Sequence, residues 1–191
     1  MDTNTKNVKC TAPDGQSYKG EWRDDKPNGS GIMDFANQDQ YEGDWKDGLM
    51  DGEGVYRFYD PKKDEFTATY EGQFLEGKRH GIGRMSFPDH TFYVGQWQDD
   101  KRTGSGFATF ADGGAFQGLW QNGEMMRGVY ALPNGDRYDG ELSGGKFNGY
   151  GKYFFTDGRW YDGEWKDGAM TAGLVYRPDG KIKEVADGKI L

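Results

Sequence analysis

The side chains that could do chemistry are two histidines, one cysteine and 32 acidic residues in a chain of 191. His80, His90 and Cys10 are the soft donors, and a zinc site needs such ligands in closely spaced pairs. They stand at no such spacing. A pair of carboxylates can act as general acid and base. However, Glu42, Asp44, Glu141, Asp162 and Glu164 alternate with apolar residues, which places them on a polar strand face in water. Gly29-Ser30-Gly31 and Gly104-Ser105-Gly106 contain no G-x-S-x-G, no GK[ST] and no G-x-G-x-x-G. The DPKKDE run at 60–65 gathers acidic oxygens without the glycine and spacing of an EF-hand loop. The expectation is a non-enzyme, with no catalytic residue, no metal and no cofactor.

The elements that would position these residues repeat. YEGDWKDG at 41–48 returns as YDGEWKDG at 161–168. A Y-x-G-x-W unit starts at Tyr18, Tyr41, Tyr70, Tyr93, Phe116, Tyr138 and Tyr161, a period of about 23 residues. A G-x-G pair follows in most units, as at Gly52/Gly54 and Gly149/Gly151, then an apolar anchor such as Phe58 or Phe155, then a turn such as PNG or TDG. Period-2 alternation puts Tyr41, Gly43 and Trp45 on one face and Glu42 and Asp44 on the other. Each unit is therefore a β-hairpin, and its rings must stack on those of the next hairpin because one hairpin cannot bury them. The in-face glycines are expected to leave room for a neighbour's ring. The longer step from Tyr41 to Tyr70 reads as a bulged loop, not a domain boundary.

Composition agrees. Gly is 32 of 191 residues, more than twice the usual ~7%, and aromatics are 16% against 34% hydrophobic overall. The apolar content is mainly rings. A net charge of −8 argues against a nucleic-acid partner, which needs a basic footprint. One cysteine precludes an internal disulfide and favours a reducing compartment. No apolar leader, lipidation box or long apolar run is visible, so the reading is cytoplasmic.

The seven Y-x-G-x-W…G-x-G units resemble the MORN (membrane occupation and recognition nexus) repeat family. That resemblance implies an all-β fold: an elongated, twisted, single-layer antiparallel sheet of stacked β-hairpins with an aromatic-lined groove. The organisation expected is a tail and half-repeat cap at 1–17, seven repeats over 18–180, and a cap or tail at 181–191. It also implies a scaffold or adaptor in cytoskeletal, ciliary or membrane-associated assemblies.

Candidate sites lie in the rings and where repeats depart from one another. A partner peptide or helix could lie along Tyr41, Trp45, Tyr70, Phe74, Tyr93, Trp97, Phe116, Trp120, Tyr138, Tyr161 and Trp165, since Tyr and Trp are frequent interface anchors; intramolecular stacking of the same rings is the alternative. Lys78, Arg79, Lys101 and Arg102 stand at equivalent places in repeats 3 and 4 and suggest a basic rim. That gives the alternative function, a peripheral module for phosphoinositide or other anionic lipid. Val94 and Leu119 put apolar side chains where other repeats carry charge, a possible interface. Met50, Met125, Met126, Phe147 and Met170 are expected in loops, either exposed to partners or folded over the core. Self-association through the array ends completes the list of partners.

Overall fold

The computed structural model describes residues 6–190. Every regular element among them is a β-strand, and the chain divides into two compact units, the first running through Lys101 and the second from Arg102.

The first unit contains β1 (Lys6–Thr11), β2 (Ser17–Arg23), β3 (Lys26–Asp34), β4 (Gln40–Lys46), β5 (Leu49–Asp60), β6 (Glu65–Leu75), β7 (Lys78–Ser86) and β8 (Phe92–Gln98). Each pairs antiparallel with the next. The second is built from β9 (Lys101–Thr109), β10 (Ala115–Gln121), β11 (Glu124–Ala131), β12 (Arg137–Ser143), β13 (Lys146–Phe154), β14 (Trp160–Lys166), β15 (Ala169–Tyr176), β16 (Ile182–Ala186) and β17 (Lys189–Ile190). It follows the same next-neighbour antiparallel order.

Two kinds of turn alternate. Between β4 and β5, Asp47 and Gly48 both have positive φ, 50° and 89°, the two-residue turn whose twist matches antiparallel strands. Between β3 and β4, Phe35 and Asp39 close a wider turn through Phe35 N–H to Asp39 O. The insertion of repeat 2 is not a loose bulge. It lengthens the hairpin by the rungs Phe58↔Ala68, Tyr59↔Phe66 and Asp60↔Glu65, because Tyr59, Phe66 and the flanking Thr residues favour strand.

The 17 strands among the described residues belong to one antiparallel sheet, and in each unit it has a ring face and an outer face. Tyr18, Tyr41, Tyr70 and Tyr93 are buried on the ring face of the first unit, and Phe116, Tyr138, Tyr161, Val175 and Val185 on that of the second. Glycines lie beside them in register across the strands. Gly20, Gly31, Gly43, Gly54, Gly72, Gly83 and Gly95 form one belt. The space above this belt is filled by each repeat's own tyrosine and not, as expected, by a neighbour's ring. A Cβ on Gly54 would fall 2.5 Å from Tyr41 Cζ, and one on Gly83 2.5 Å from Tyr70 Cζ.

Candidate functional site

All eleven rings expected to line a partner groove lie on the ring faces, and all are buried, at 0–6% exposure. They are the core. A partner would meet almost none of their surface. In the first unit the rings form an edge-to-face row: Tyr41 meets Trp45 and Phe74 at 5.0 Å each, Tyr70 meets Phe74 at 5.0 Å and Trp97 at 5.3 Å, and Tyr93 meets Trp97 at 5.2 Å. Such geometry suits the ring quadrupoles. In the second unit Leu142 stands where other repeats carry Trp or Phe, and Phe147, paired across from it, stacks on Tyr138 at 3.9 Å and fills the space.

Most of the polar ends of these rings are satisfied within the sheet. Tyr18, Tyr41, Tyr70, Tyr93, Tyr138 and Tyr161 each donate their hydroxyl to the carbonyl three residues on. Trp45, Trp97 and Trp165 donate Nε1–H to the carbonyls of Gly31, Gly83 and Gly151 at 3.1 Å. Burial disfavours the phenolate, pushing Tyr18 and Tyr138 up to about 12 and raising Tyr41 and Tyr70 as well.

The basic residues sit at strand starts and are largely engaged. Lys78 Nζ lies 3.2 Å from Asp99. Arg79 Nε donates to Asp100 Oδ1 at 2.9 Å, and its guanidinium lies 4.7 Å from the Trp97 ring centroid. Arg102 donates to the Gly123 carbonyl at 2.9 Å and lies 4.3 Å over Trp120. Lys101 is exposed. Arg79 pairs across from Phe74 as Met50 does from Trp45, Met125 from Trp120 and Met170 from Trp165. The arginine thus does a methionine's work, covering the ring row with its stem and planar head. The lipid reading rested on a basic rim of four cations, and three of them are engaged within the fold.

Two carboxylates that the sequence reading missed organise the wide turns. Asp39 accepts from the Tyr56 hydroxyl at 2.8 Å, the Tyr59 amide at 2.7 Å and the Asn37 side chain at 2.8 Å. Asp136 repeats this with Tyr153 at 2.7 Å, the Thr156 amide at 2.8 Å and Asn134 at 2.7 Å. The Tyr153 hydroxyl, joined by the Thr156 amide and Asn134, holds the Asp136 carboxyl below its ordinary value despite burial. Burial, then the bond to Asp136, pushes Tyr153 up to about 12. The signal available was Asn-x-Asp at 37–39 and 134–136, where most other wide turns place the aspartate two residues earlier.

The outer faces are open. Ile82 is 55% exposed and Val94 37% in the first unit; Leu119 is 52%, Tyr150 56% and Leu174 39% exposed in the second. Val94 and Leu119 thus lie where the sequence placed them, on the face opposite the rings. Beside them in the second unit runs a half-buried ladder in which Phe154 and Trp160 stack at 6.2 Å and Trp160 and Tyr176 at 3.9 Å. His90 lies in a turn, with its N–H donated to the Phe87 carbonyl, His80 lies in β7, and Cys10 is exposed on β1. Among the described residues no three His, Cys, Asp or Glu side chains gather in a way that could hold a metal ion, and no helix is long and apolar enough to cross a membrane.

The MORN repeat family model matches residues 18–40, 41–60, 70–92, 93–115, 116–137, 138–158 and 161–171. No curated protein matches the chain. Among solved structures, the chain is similar to the SAS-4 TCP domain of Drosophila melanogaster in complex with a proline-rich motif of Ana2. The TM-score is 0.50 at 12% identity, covering 94% of this chain and 90% of that one. It is also similar to a mutant TCP10 domain of Danio rerio CPAP, at a TM-score of 0.51 and 17% identity over 100% of this chain and 88% of that one. At these identities the likeness is one of fold.

Proposed function

The chain belongs to the MORN repeat family, and from that premise we propose that it is a non-enzymatic scaffold that binds segments of partner proteins on the outer faces of its two units. One observation carries this reading. The eleven rings of the ring faces are covered by the chain's own side chains, whereas the outer faces leave Ile82, Val94, Leu119, Tyr150 and Leu174 exposed. Exposed aliphatic and aromatic side chains on an otherwise charged face mark an interaction surface. The shared fold adds support, because one TCP domain of this architecture is in complex with a proline-rich motif of another protein. Of the candidate acid–base carboxylates, Glu42, Glu141 and Glu164 are exposed on this same face, whereas Asp162 is only 18% exposed and pairs with Lys152 at 3.2 Å; a binding role suits the exposed ones better than proton transfer. The setting that goes with the proposal is a larger cytoskeletal, ciliary or membrane-associated assembly. Lipid binding through Lys78, Arg79 and Arg102 is not part of it, since these side chains are already paired.

The test is affinity purification from the native source with wild type and with an Ile82→Asp/Leu119→Asp/Leu174→Asp variant. All three sites are exposed, so the variant keeps the wild-type circular dichroism spectrum. The expected result is loss of the co-purifying proteins. An unchanged set overturns the proposal.

A further inference from the structure

On the outer face of the first unit a groove of about 640 Å³ crosses β4 to β8. We propose that it seats an extended basic segment of a partner protein, one in which aliphatic side chains alternate with Lys or Arg. The proposal rests on the scaffold reading above and specifies the partner's chemistry.

The floor is backbone. Gly43, Gly54, Gly72 and Gly83 lie side by side in register, so no side chain rises along that line. One wall is the cross-strand row Glu42, Val55, Glu71, Arg84 and Val94. Glu53, Gln73 and Ile82 form the other. The groove runs across the strands. Five strands at ~4.8 Å spacing give about 19 Å, the reach of about six extended residues. An occupant therefore lies over the sheet and does not add a strand to its edge.

Charge selects the occupant. Glu53 and Glu71 make no ion pair among the described residues, and Glu42 is 3.6 Å from Arg57. Arg84 stands beside Glu71 in register, yet its guanidinium lies 4.0 Å over the Phe92 ring. With Glu42 paired to Arg57, two further carboxylates, Glu53 and Glu71, face the groove against the single guanidinium of Arg84. An acidic segment would be repelled, as would a second copy of this chain with its net charge of −8. A purely polar segment would leave Val55, Ile82 and Val94 wet. Alternating aliphatic and basic side chains satisfy both sets of residues, one reaching between the walls and the other reaching the carboxylates.

The experiment selects from a phage library of random dodecapeptides with the full chain as bait, then measures the selected peptides by fluorescence anisotropy. The expected selection is rich in Lys or Arg alternating with aliphatic residues. Affinity should fall about tenfold in Glu53→Gln/Glu71→Gln and fall also in Ile82→Ser. It should weaken as salt rises and stay unchanged in Leu119→Asp. Selection of acidic or uncharged peptides, selection of none, or indifference to the groove variants overturns the inference. Peptides lost only in Leu119→Asp would overturn the groove while leaving the scaffold reading standing, which itself falls only if native partners ignore the outer-face variant.

Discussion

The ring of Tyr41 lies over Gly54, on the neighbouring strand, so closely that a methyl group on that glycine would sit 2.5 Å from Tyr41 Cζ. The two residues are one fitted part. Tyr41 is fully buried, donates to the Asp44 carbonyl at 2.9 Å, and meets Trp45 and Phe74 edge-on at 5.0 Å. Its ring has no free direction in which to yield.

Gly54→Ala should therefore destabilise the protein by about 1–3 kcal/mol, the range for overpacking a filled core. Ser30→Ala, at an exposed outer-face position, should change stability by less than about 0.5 kcal/mol. Urea denaturation followed by circular dichroism compares the two. Equal stabilities would contradict the fitted-ring account.

Trp97→Ala should cost about 3–5 kcal/mol, as for other buried Trp truncations. It removes edge contacts to Tyr70 and Tyr93, the bond to the Gly83 carbonyl and the ring under Arg79. Trp97→Phe should cost much less, because repeat 3 already carries Phe74 at the equivalent place. A denaturation series of the two variants checks the ratio. A cheap alanine would mean that Trp97 is spare surface after all.

The strands, their two faces and the stacking of rings from one hairpin to the next were legible because all three follow from local period-2 alternation repeated in phase; that the rings are too deeply buried to line a partner groove was not. What was illegible depends on which groups meet only once the hairpins are folded and paired. Arg79 reads as a free cation until Asp100, across the next hairpin, is brought to 2.9 Å. Glycine reads as space for a neighbour because the sequence does not show that its own repeat's tyrosine folds back over it. The carboxylates of Asp39 and Asp136 look like ordinary turn residues. Their partners Tyr59 and Thr156 lie on the next wide turn, beyond the reach of a turn signature. The groove residues Glu53, Glu71 and Ile82 become one site only when the glycine belt aligns three strands.

Alkaline pH should unfold the chain. Tyr18, Tyr138 and Tyr153 are pushed up to about 12 from an ordinary 10.0, and Tyr41, Tyr56, Tyr70, Tyr130 and Tyr161 are raised too. Above pH 10 the unfolded chain releases phenolic protons that the folded chain keeps, so stability falls as pH rises. The contribution is complete below pH 10 and is lost on the way to pH 12. Melting temperature and absorbance at the tyrosinate band, recorded together across that window, should change in step. Tyrosines that ionise freely while the fold persists would refute their burial.

Acid acts through Asp136 with the opposite sign. Its folded carboxyl sits below the ordinary 3.8, held there chiefly by the Tyr153 hydroxyl. As pH falls through that region the unfolded state takes up a proton before the folded state does. Its contribution is therefore whole above pH 4 and declines below it. Asp136→Asn removes the charge and turns one acceptor into a donor facing Tyr153, Thr156 and Asn134, all of which donate. The expected cost at pH 7 is about 1–3 kcal/mol, the penalty for unsatisfied buried polar groups. The variant should also lose less stability than wild type between pH 4 and pH 3. Denaturation midpoints at pH 7, 4 and 3 measure both effects. Parallel pH profiles for the two proteins would remove Asp136 from the acid response and leave its role one of shape alone.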